Sequence, residues 1–181
     1  MKQRTYSSEG IILKRSNFQE ADRILTVFSK RYGKITLLAK GIRKLGSRKR
    51  GHLEIFSEIK FQAVASSGFD ILTEAITINN FNKLRLNLNR VTLAYYFCEV
   101  LNKIVKEDEK HDELFELLSK SLKELETAKN LKTLRKDFIV KLLVELGYWP
   151  GNKKMINHDI ELEEVLERKL NSLRVGKKVL E

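Results

Sequence analysis

The chain contains very little cysteine, proline or tryptophan, with one residue of each among 181. A single cysteine, Cys98, excludes an intrachain disulfide framework and any zinc site built from cysteines. No apolar run approaches the roughly 18 residues of a membrane-spanning helix. The opening residues, from Met1 to Thr5, lack the apolar stretch of a secretory signal. We therefore expect a cytoplasmic protein without a membrane partner.

Positive charge is what the chain has in excess. It holds 35 basic and 24 acidic side chains, for a formal net charge of +11 and a pI near 9.7. Residues 1–80 carry most of the excess, and six basic residues without an acidic neighbour crowd the stretch from 40 to 50. This pattern indicates either a solvated surface loop or, in a chain this basic, a polyanion-binding surface.

The first 78 or so residues have the pattern of β-strands. Short runs of β-branched, aromatic or alternating apolar residues occur at 10–13, 23–28, 35–39, 59–63 and 69–73. The polar stretch from Arg15 to Asp22 is predicted to connect the first two strands. Gly33 is expected at positive φ in the turn before the third strand. Five short strands with a long insertion after the third predict a small closed barrel of the OB type.

From Phe81 onward the apolar spacing becomes helical. Apolar residues recur at intervals of three and four over 94–105, 114–125, 131–146 and from Asp159 onward. Cys98 lies within the first stripe and is expected to be buried, and Gly147 is expected to end the third helix. The predicted fold class is α+β, with an N-terminal OB-fold nucleic-acid-binding barrel over 1–80 and an all-helical C-terminal domain over 81–181.

Residue clusters that would carry catalysis are scarce. The three histidines have no second histidine or cysteine at metal-ligand spacing, and no Walker-type phosphate loop occurs. Glu20 and Asp22 form an acidic pair of the kind that holds Mg²⁺ in a nuclease, although carboxylates beside a turn are more typical of turn and solvation roles. Glu107, Asp108 and Glu109 are expected to form a solvated linker between helices. The chain is expected to be no enzyme and to need no cofactor or metal.

Several segments of the first half resemble, in order and spacing, the N-terminus of the RecO recombination-mediator family. They are 6–14, 22–29, 32–34, 38–43, 47–48 and 51–56. In the second half, Leu142–Pro150 resembles the end of that family's central helical core, and Leu170–Arg174 resembles its final helix. Many relatives carry a cysteine-built zinc module shortly after the proline, and this chain has no cysteine there. The resemblance is therefore to a short form without that module.

This resemblance implies an OB-fold barrel joined to helices and a role in DNA repair. Family members bind single- and double-stranded DNA and anneal complementary strands. They contact the acidic, apolar-ended C-terminal tail of the single-stranded DNA-binding protein SSB, and with RecR they help load RecA. The implied location is the cytoplasm, in association with the nucleoid. Whether RecR binding persists without the zinc module is left open.

The candidate DNA-binding residues are basic side chains of the barrel half, which would form one continuous track for a phosphate backbone. They are Lys14, Arg15, Lys34, Lys40, Arg43, Lys44, Arg48, Lys49 and Arg50. Lys14 and Arg15 are expected at the end of the first strand. Candidates for base stacking are Tyr6, Phe18, Tyr32 and Phe69, although strand aromatics more often belong to the core. Basic residues available to the tail of SSB are Arg135, Lys136, Lys141, Lys153 and Lys154.

Three other functions fit parts of the pattern. An RNA-binding OB protein would prefer RNA over DNA by reading the 2′-hydroxyl. An interaction adaptor for RecR or SSB would use the basic loop only for solubility. A small nuclease, the least favoured hypothesis, would depend on Mg²⁺ held by Glu20 and Asp22.

Overall fold

A computed structural model describes residues 4–44 and 53–166 of the chain. Its strands are β1 (Thr5–Phe18), β2 (Asp22–Ser29), β3 (Gly33–Ala39), β4 (Glu58–Val64) and β5 (Asp70–Asn79). Its helices are α1 (Asn82–Arg85), α2 (Leu88–Ile104), α3 (Asp112–Leu125), α4 (Leu131–Glu145) and α5 (His158–Leu166). This order of strands followed by helices confirms the α+β fold class.

The five strands close into a barrel in the order β1-β2-β3-β5-β4. Neighbouring strands are antiparallel except β3 and β5, which pair in parallel only at Leu37 and Leu38. Alternate side chains point inward and form an apolar core. Its members include Ile12, Leu25, Val27, Ile35, Leu37, Ile59, Phe61 and Leu72. The barrel is the OB-like barrel that the strand pattern predicts.

The connection between β1 and β2 differs from the prediction. The sequence predicts a polar connection from Arg15 to Asp22, whereas β1 continues to Phe18 and β2 begins at Asp22. Pairing with β2 satisfies the backbone groups of these residues, so the chain stays extended although its side chains are polar. Lys14 and Arg15 therefore lie inside β1 rather than at its end.

Barrel closure depends on β1, which pairs with β4 over Thr5–Ile11 and with β2 over Gly10–Phe18. Gly10 is in register with both neighbours. A Cβ at this position would lie 2.5 Å from Cγ1 of Val27 and 3.2 Å from both the carbonyl oxygen of Phe28 and Cε1 of Phe61. Glycine is therefore the residue that fits where β1 passes between β2 and β4.

The insertion between β3 and β4 is anchored to β1 at its C-terminal end. The Phe56 N–H donates to the Ile12 carbonyl oxygen at 2.7 Å, and the Ile12 N–H donates to the Ser57 carbonyl oxygen at 3.1 Å. Leu53 and Phe56 are buried. Residues 45–52 of this insertion lie outside the described residues.

The chain divides into two compact units. One is built on Met1–Asn80 and Val105–Asp112, and the other on Phe81–Ile104 and Glu113–Glu181. The segment 105–112 links α2 to α3 and groups with the barrel, and we call it the returning segment. The division into two domains near residue 80 stays a prediction.

The core of the helical unit uses the predicted apolar stripes. Phe97 of α2 stacks on Phe138 of α4 with ring centroids 4.1 Å apart, and Cys98 is buried as expected. Gly147 follows α4 at a φ of 75°, in the conformation predicted for the residue that ends this helix. Between residues 4 and 166, outside the gap at 45–52, no helix is long and apolar enough to cross a membrane.

Replacing Gly10 with alanine is expected to destabilise the barrel. The added methyl group would overlap the side chain of Val27, and overpacking of this kind costs about 1–3 kcal/mol. Gly68→Ala is the matched control, because a Cβ at Gly68 meets nothing within 4 Å. We expect the control to stay within about 0.5 kcal/mol of wild type in urea unfolding. Equal unfolding midpoints for the two variants would contradict the close approach of β1 to Val27 at Gly10.

Candidate nucleic-acid interface

The outer face of β2 and β3 carries a small apolar surface between polar residues. Ile24 of β2 lies opposite Leu38 of β3, and Thr26 lies opposite Thr36. Because side chains alternate along a strand, these four point away from the core, and all are half-buried. OB barrels bind oligonucleotides on the corresponding face, together with the loops after the first and fourth strands.

Two aromatic side chains meet at one edge of this face. Phe18 ends β1 and Phe69 immediately precedes β5, and their rings pack edge to face with centroids 6.2 Å apart. Phe69 is 43% exposed, and Phe18 is half-buried. The pair brings the β1–β2 and β4–β5 loops together and presents a ring surface on which a base can stack.

Of the other two stacking candidates, Tyr6 is buried in the core and Tyr32 is half-buried against it. Tyr6 is 3% exposed, and its ring lies 4.7 Å from that of Tyr32. The Tyr6 hydroxyl donates to the Asp70 carboxylate. Burial, reinforced by that carboxylate, raises the pKa of Tyr6 well above its usual range. Tyr6 therefore acts in packing rather than in base stacking.

Lys40, Arg43 and Lys44 lie together in residues 40–44, which we call the basic turn, and all three are exposed. The Gly41 N–H donates to Oδ1 of Asp22 at 2.7 Å, so the carboxylate holds this turn against the start of β2. Since Asp22 lies opposite Phe18 in the β1–β2 pair, the basic turn is next to the aromatic pair.

Two further hydrogen bonds fix the basic turn against the β1–β2 loop. The Arg43 N–H donates to the Ala21 carbonyl oxygen at 2.9 Å, and its guanidinium donates to the Gln19 carbonyl oxygen at 3.4 Å. Asp22 thus has the turn role that the sequence favoured over Mg²⁺ binding. In the part of the chain that the structure describes, no group of three or more potential metal ligands occurs.

Lys14 and Arg15, adjacent in β1, have different surroundings. Lys14 is exposed and lies opposite Thr26, on the outer face. Arg15 forms an ion pair with Glu54, whose carboxylate also lies 3.9 Å from the guanidinium of Arg23. The charge of Arg15 is therefore compensated within the barrel.

The returning segment packs on β3 at Lys34. The sequence does not predict this contact. Lys34 and Glu107 form a parallel β-bridge, and the Asp108 N–H donates to the Lys34 carbonyl oxygen at 2.9 Å. Burial lowers the pKa of Lys34, and the charge of Glu107 opposes that change. The carboxylates of the segment are exposed, as expected of a linker, but its backbone packs on β3.

The acidic residues of this segment border the aromatic pair. A cleft of about 410 Å³ is lined by Lys34 and Thr36 of β3, by Phe69, and by Glu107 and Asp108. The Thr36 hydroxyl donates to Oε1 of Glu107 at 3.4 Å. Carboxylates repel phosphate, so this side of the face is unfavourable to a nucleic-acid backbone.

The described members of the predicted basic track differ in their surroundings. Lys40, Arg43 and Lys44 come together, Lys14 lies exposed on the adjoining face, and Arg15 and Lys34 have acidic neighbours. Arg48, Lys49 and Arg50 lie outside the described residues. Contact of any of these side chains with DNA stays a prediction.

A separate groove of about 680 Å³ lies in the helical unit. It is lined by Thr133, Lys136, Asp137, Val140, Lys153, Lys154, Met155, Ile156 and His158. Ile156 is 93% exposed. Burial and the charge of Lys136 lower the pKa of His158, so the positive charge of this basic groove comes from its lysines.

The remaining two candidates for an acidic tail lie elsewhere. Arg135 forms an ion pair with Asp159, and its guanidinium carbon is 4.8 Å from the ring centroid of Tyr96. Lys141 lines another groove together with Lys120 and three glutamates. Only the structure brings Lys136 to the adjacent pair Lys153 and Lys154, because Lys136 lies 17 residues before that pair in the sequence.

Two family models match the chain. The model described as Recombination protein O N terminal matches residues 1–81, and the model described as Recombination protein O C terminal matches residues 85–152.

Curated relatives of the chain are named "DNA repair protein RecO". One from Roseiflexus sp. (strain RS-1) is 32% identical over 150 residues, covering 83% of this chain and 53% of that protein. One from Listeria monocytogenes serotype 4b (strain CLIP80459) is 28% identical over 146 residues, covering 81% of this chain and 57% of that protein. One from Dehalococcoides mccartyi (strain ATCC BAA-2100) is 29% identical over 161 residues, covering 89% of this chain and 64% of that protein. The chain thus spans between half and two thirds of the length of these relatives.

Alanine at Gly33 is expected to displace the returning segment. Gly33 has a φ of 67°, and a Cβ there would lie 2.0 Å from the carbonyl oxygen of Glu109. Gly41→Ala is the matched control, because Gly41 has a φ of 64° and its nearest neighbour, Cδ of Lys44, is 3.7 Å away. The left-handed backbone lowers the free energy of unfolding of both variants by about 1–2 kcal/mol.

In Gly33→Ala the free energy of unfolding in urea should fall by about 1–3 kcal/mol more, because the backbone of the returning segment must also shift. Amide exchange at Asp108 should accelerate in this variant alone. Equal losses of stability, with Asp108 still protected in both variants, would show that the segment does not depend on Gly33.

Proposed function

Because this chain belongs to the RecO family, we propose that it is a DNA-binding mediator of recombination in DNA repair. It binds single-stranded DNA on the outer face of β2 and β3 and promotes the annealing of complementary strands. With RecR it helps load RecA on DNA coated with SSB. The roles with RecR and RecA are inferred from family membership alone.

The observation that carries this proposal is the aromatic pair of half-buried Phe18 and exposed Phe69 beside the three exposed cations of the basic turn. Cations held near a ring surface are the combination that binds single-stranded nucleic acid without sequence preference. The cations neutralise phosphates and release counterions, while bases stack on Phe69 and pack on Ile24 and Leu38. Double-stranded DNA would use the same cations with less stacking, because its bases are already paired.

The proposed activity requires no covalent step. Annealing forms only base pairs, and the barrier that a protein lowers is the mutual repulsion of two phosphate backbones. Lys14, Lys40, Arg43 and Lys44 supply positive charge for this purpose. The compensated Arg15 and the covered Lys34 contribute less, since each has a carboxylate beside it.

Removing the charges of the basic turn is expected to weaken single-stranded DNA binding and reduce its salt dependence. Each lost phosphate contact changes the slope of log K against log salt by about 0.7, so Lys40→Ala/Arg43→Ala/Lys44→Ala should be shallower by about 2. Fluorescence anisotropy of a labelled oligomer, titrated across a salt series, measures this slope.

The matched control is Lys123→Ala/Lys129→Ala/Lys132→Ala, which removes the same charge from exposed positions of the helical unit. It should keep the wild-type slope. If both triple variants have the same slope, the basic turn does not bind phosphate. Absence of DNA binding by wild type at low salt would favour the adaptor function, and tighter binding of an RNA of equal length would favour the RNA-binding one.

We also propose that the basic groove binds the C-terminal tail of SSB. An acidic tail with apolar terminal residues needs an apolar surface bordered by cations. Val140, Met155 and Ile156 provide the apolar surface, and Lys136 and Lys154 provide charge. Steering by such charges mainly increases the association rate.

Reversing two charges of the basic groove is expected to weaken tail binding. Lys136→Glu/Lys154→Glu should raise the Kd of a synthetic tail peptide about tenfold or more, through lost attraction and new repulsion. The control, Lys120→Glu/Lys141→Glu, makes the same charge change in the groove that also contains Glu113, Glu116 and Glu145. Isothermal titration calorimetry measures both. A larger loss in the control would assign the tail to that other groove.

A further inference from the structure

We propose that the barrel has a second phosphate-binding site at the end opposite the basic turn, and that this site takes a second DNA strand. The site rests on the proposed function, since it extends DNA binding from one strand to two. It is a cleft of about 550 Å³ between the β2–β3 hairpin tip, the first halves of β1 and β4, and the end of the returning segment. Its lining residues are Ser7, Ser8, Glu9, Lys30, Arg31, Lys60, Lys110 and Asp112. We call it the hairpin cleft.

Hydrogen bonds hold the hairpin tip against β1. The Ser29 hydroxyl donates to Oγ of Ser8 at 2.9 Å, and the Arg31 N–H donates to the same oxygen at 3.2 Å. The Lys30 N–H donates to the carbonyl oxygen of Glu9 at 2.9 Å. The backbone that carries Lys30 and Arg31 is therefore fixed, which reduces the entropy lost when a ligand binds these side chains.

Lys60 reaches the same cleft from β4. It lies directly opposite Glu9 in the β1–β4 pair, so both side chains are on the outer surface. Arg31 and Lys60 are exposed, and within residues 4–44 and 53–166 neither forms an ion pair. Both are thus available to an anion from solvent.

The charges of the hairpin cleft favour an anion. Lys110 forms an ion pair with Asp112 at 2.6 Å, so these two compensate each other. Among the other residues that line the cleft, the cations Lys30, Arg31 and Lys60 outnumber the one further carboxylate, that of Glu9. The volume is in the range of small-ligand sites, and the cations on its walls suit a phosphodiester rather than an apolar group.

The returning segment separates the hairpin cleft from the outer face that holds the basic turn. β2 spans the distance between the hairpin tip and the start of the basic turn, and its eight residues measure about 23 Å. Along the neighbouring β3 edge, Glu107 and Asp108 lie beside Lys34. A strand that followed this edge would meet carboxylates, so two separate strands at the two ends are favoured over one continuous strand.

The number of DNA strands that one protein chain binds tests this proposal. The full chain is saturated with an oligothymidine of about six nucleotides, a length within the range of OB-fold site sizes. Native mass spectrometry at low ionic strength then counts bound strands. Wild type should bind two strands. Arg31→Ala/Lys60→Ala should bind one, and Lys40→Ala/Arg43→Ala/Lys44→Ala should also bind one, each losing a different strand. The matched control Lys123→Ala/Lys129→Ala should bind two.

The outcomes separate this inference from the proposed function. If wild type binds one strand, and only the basic-turn variant loses it, the hairpin cleft is not a DNA site while the proposed face stands. If wild type binds one strand and both variants weaken it, the two ends form one track and the second site is wrong. If the single strand is lost only in Arg31→Ala/Lys60→Ala, the hairpin cleft binds DNA and the proposed face does not. If wild type binds none, both proposals fail.

Discussion

The close passage of β1 between β2 and β4 at Gly10 is the constraint on which the barrel depends. A side chain there would collide with Val27, so closure requires the absence of a Cβ at this point. The register of β1 shifts between Ile12 and Lys14, and the strand then continues along β2 to Phe18. That continuation sets Phe18 opposite Asp22, and Asp22 in turn holds the basic turn. The geometry of the candidate DNA-binding face thus follows from strand pairing at Gly10, which lies about 27 Å away along β1 at about 3.4 Å per residue.

A second constraint comes from the incomplete pairing of β3. Because β5 pairs with β3 only at Leu37 and Leu38, the backbone of β3 near Lys34 needs another partner. The returning segment supplies it, and Gly33 allows the close approach. Since that segment is acidic, satisfying the backbone of β3 also brings carboxylates to the barrel surface. Carboxylates therefore lie along the β3 edge, between the hairpin tip and the basic turn.

Particular residues show how far sequence patterns reach. Cys98, Gly33 and Gly147 were predictable, because helical apolar spacing and the positive φ of turns are local properties. The pairing of Phe18 with Phe69 was not predictable, although both were stacking candidates, because it depends on two loops meeting across the barrel. In the sequence, Tyr6 cannot be distinguished from an exposed aromatic residue of a strand. Only its packing on Tyr32 in the structure assigns it to the core.

The sequence by itself determined the order of strands and helices, the basic character of the first half and the segments that resemble the RecO family. All of these are properties of residue type and spacing. Tertiary structure decided which cations remain available. Arg15 meets Glu54, 39 residues away, and Lys34 pairs with Glu107 across the barrel edge. Neither partner is visible in a local pattern, because strand register and chain return bring them together. The electrostatic surface is therefore a product of the fold, whereas the total charge is a property of the sequence.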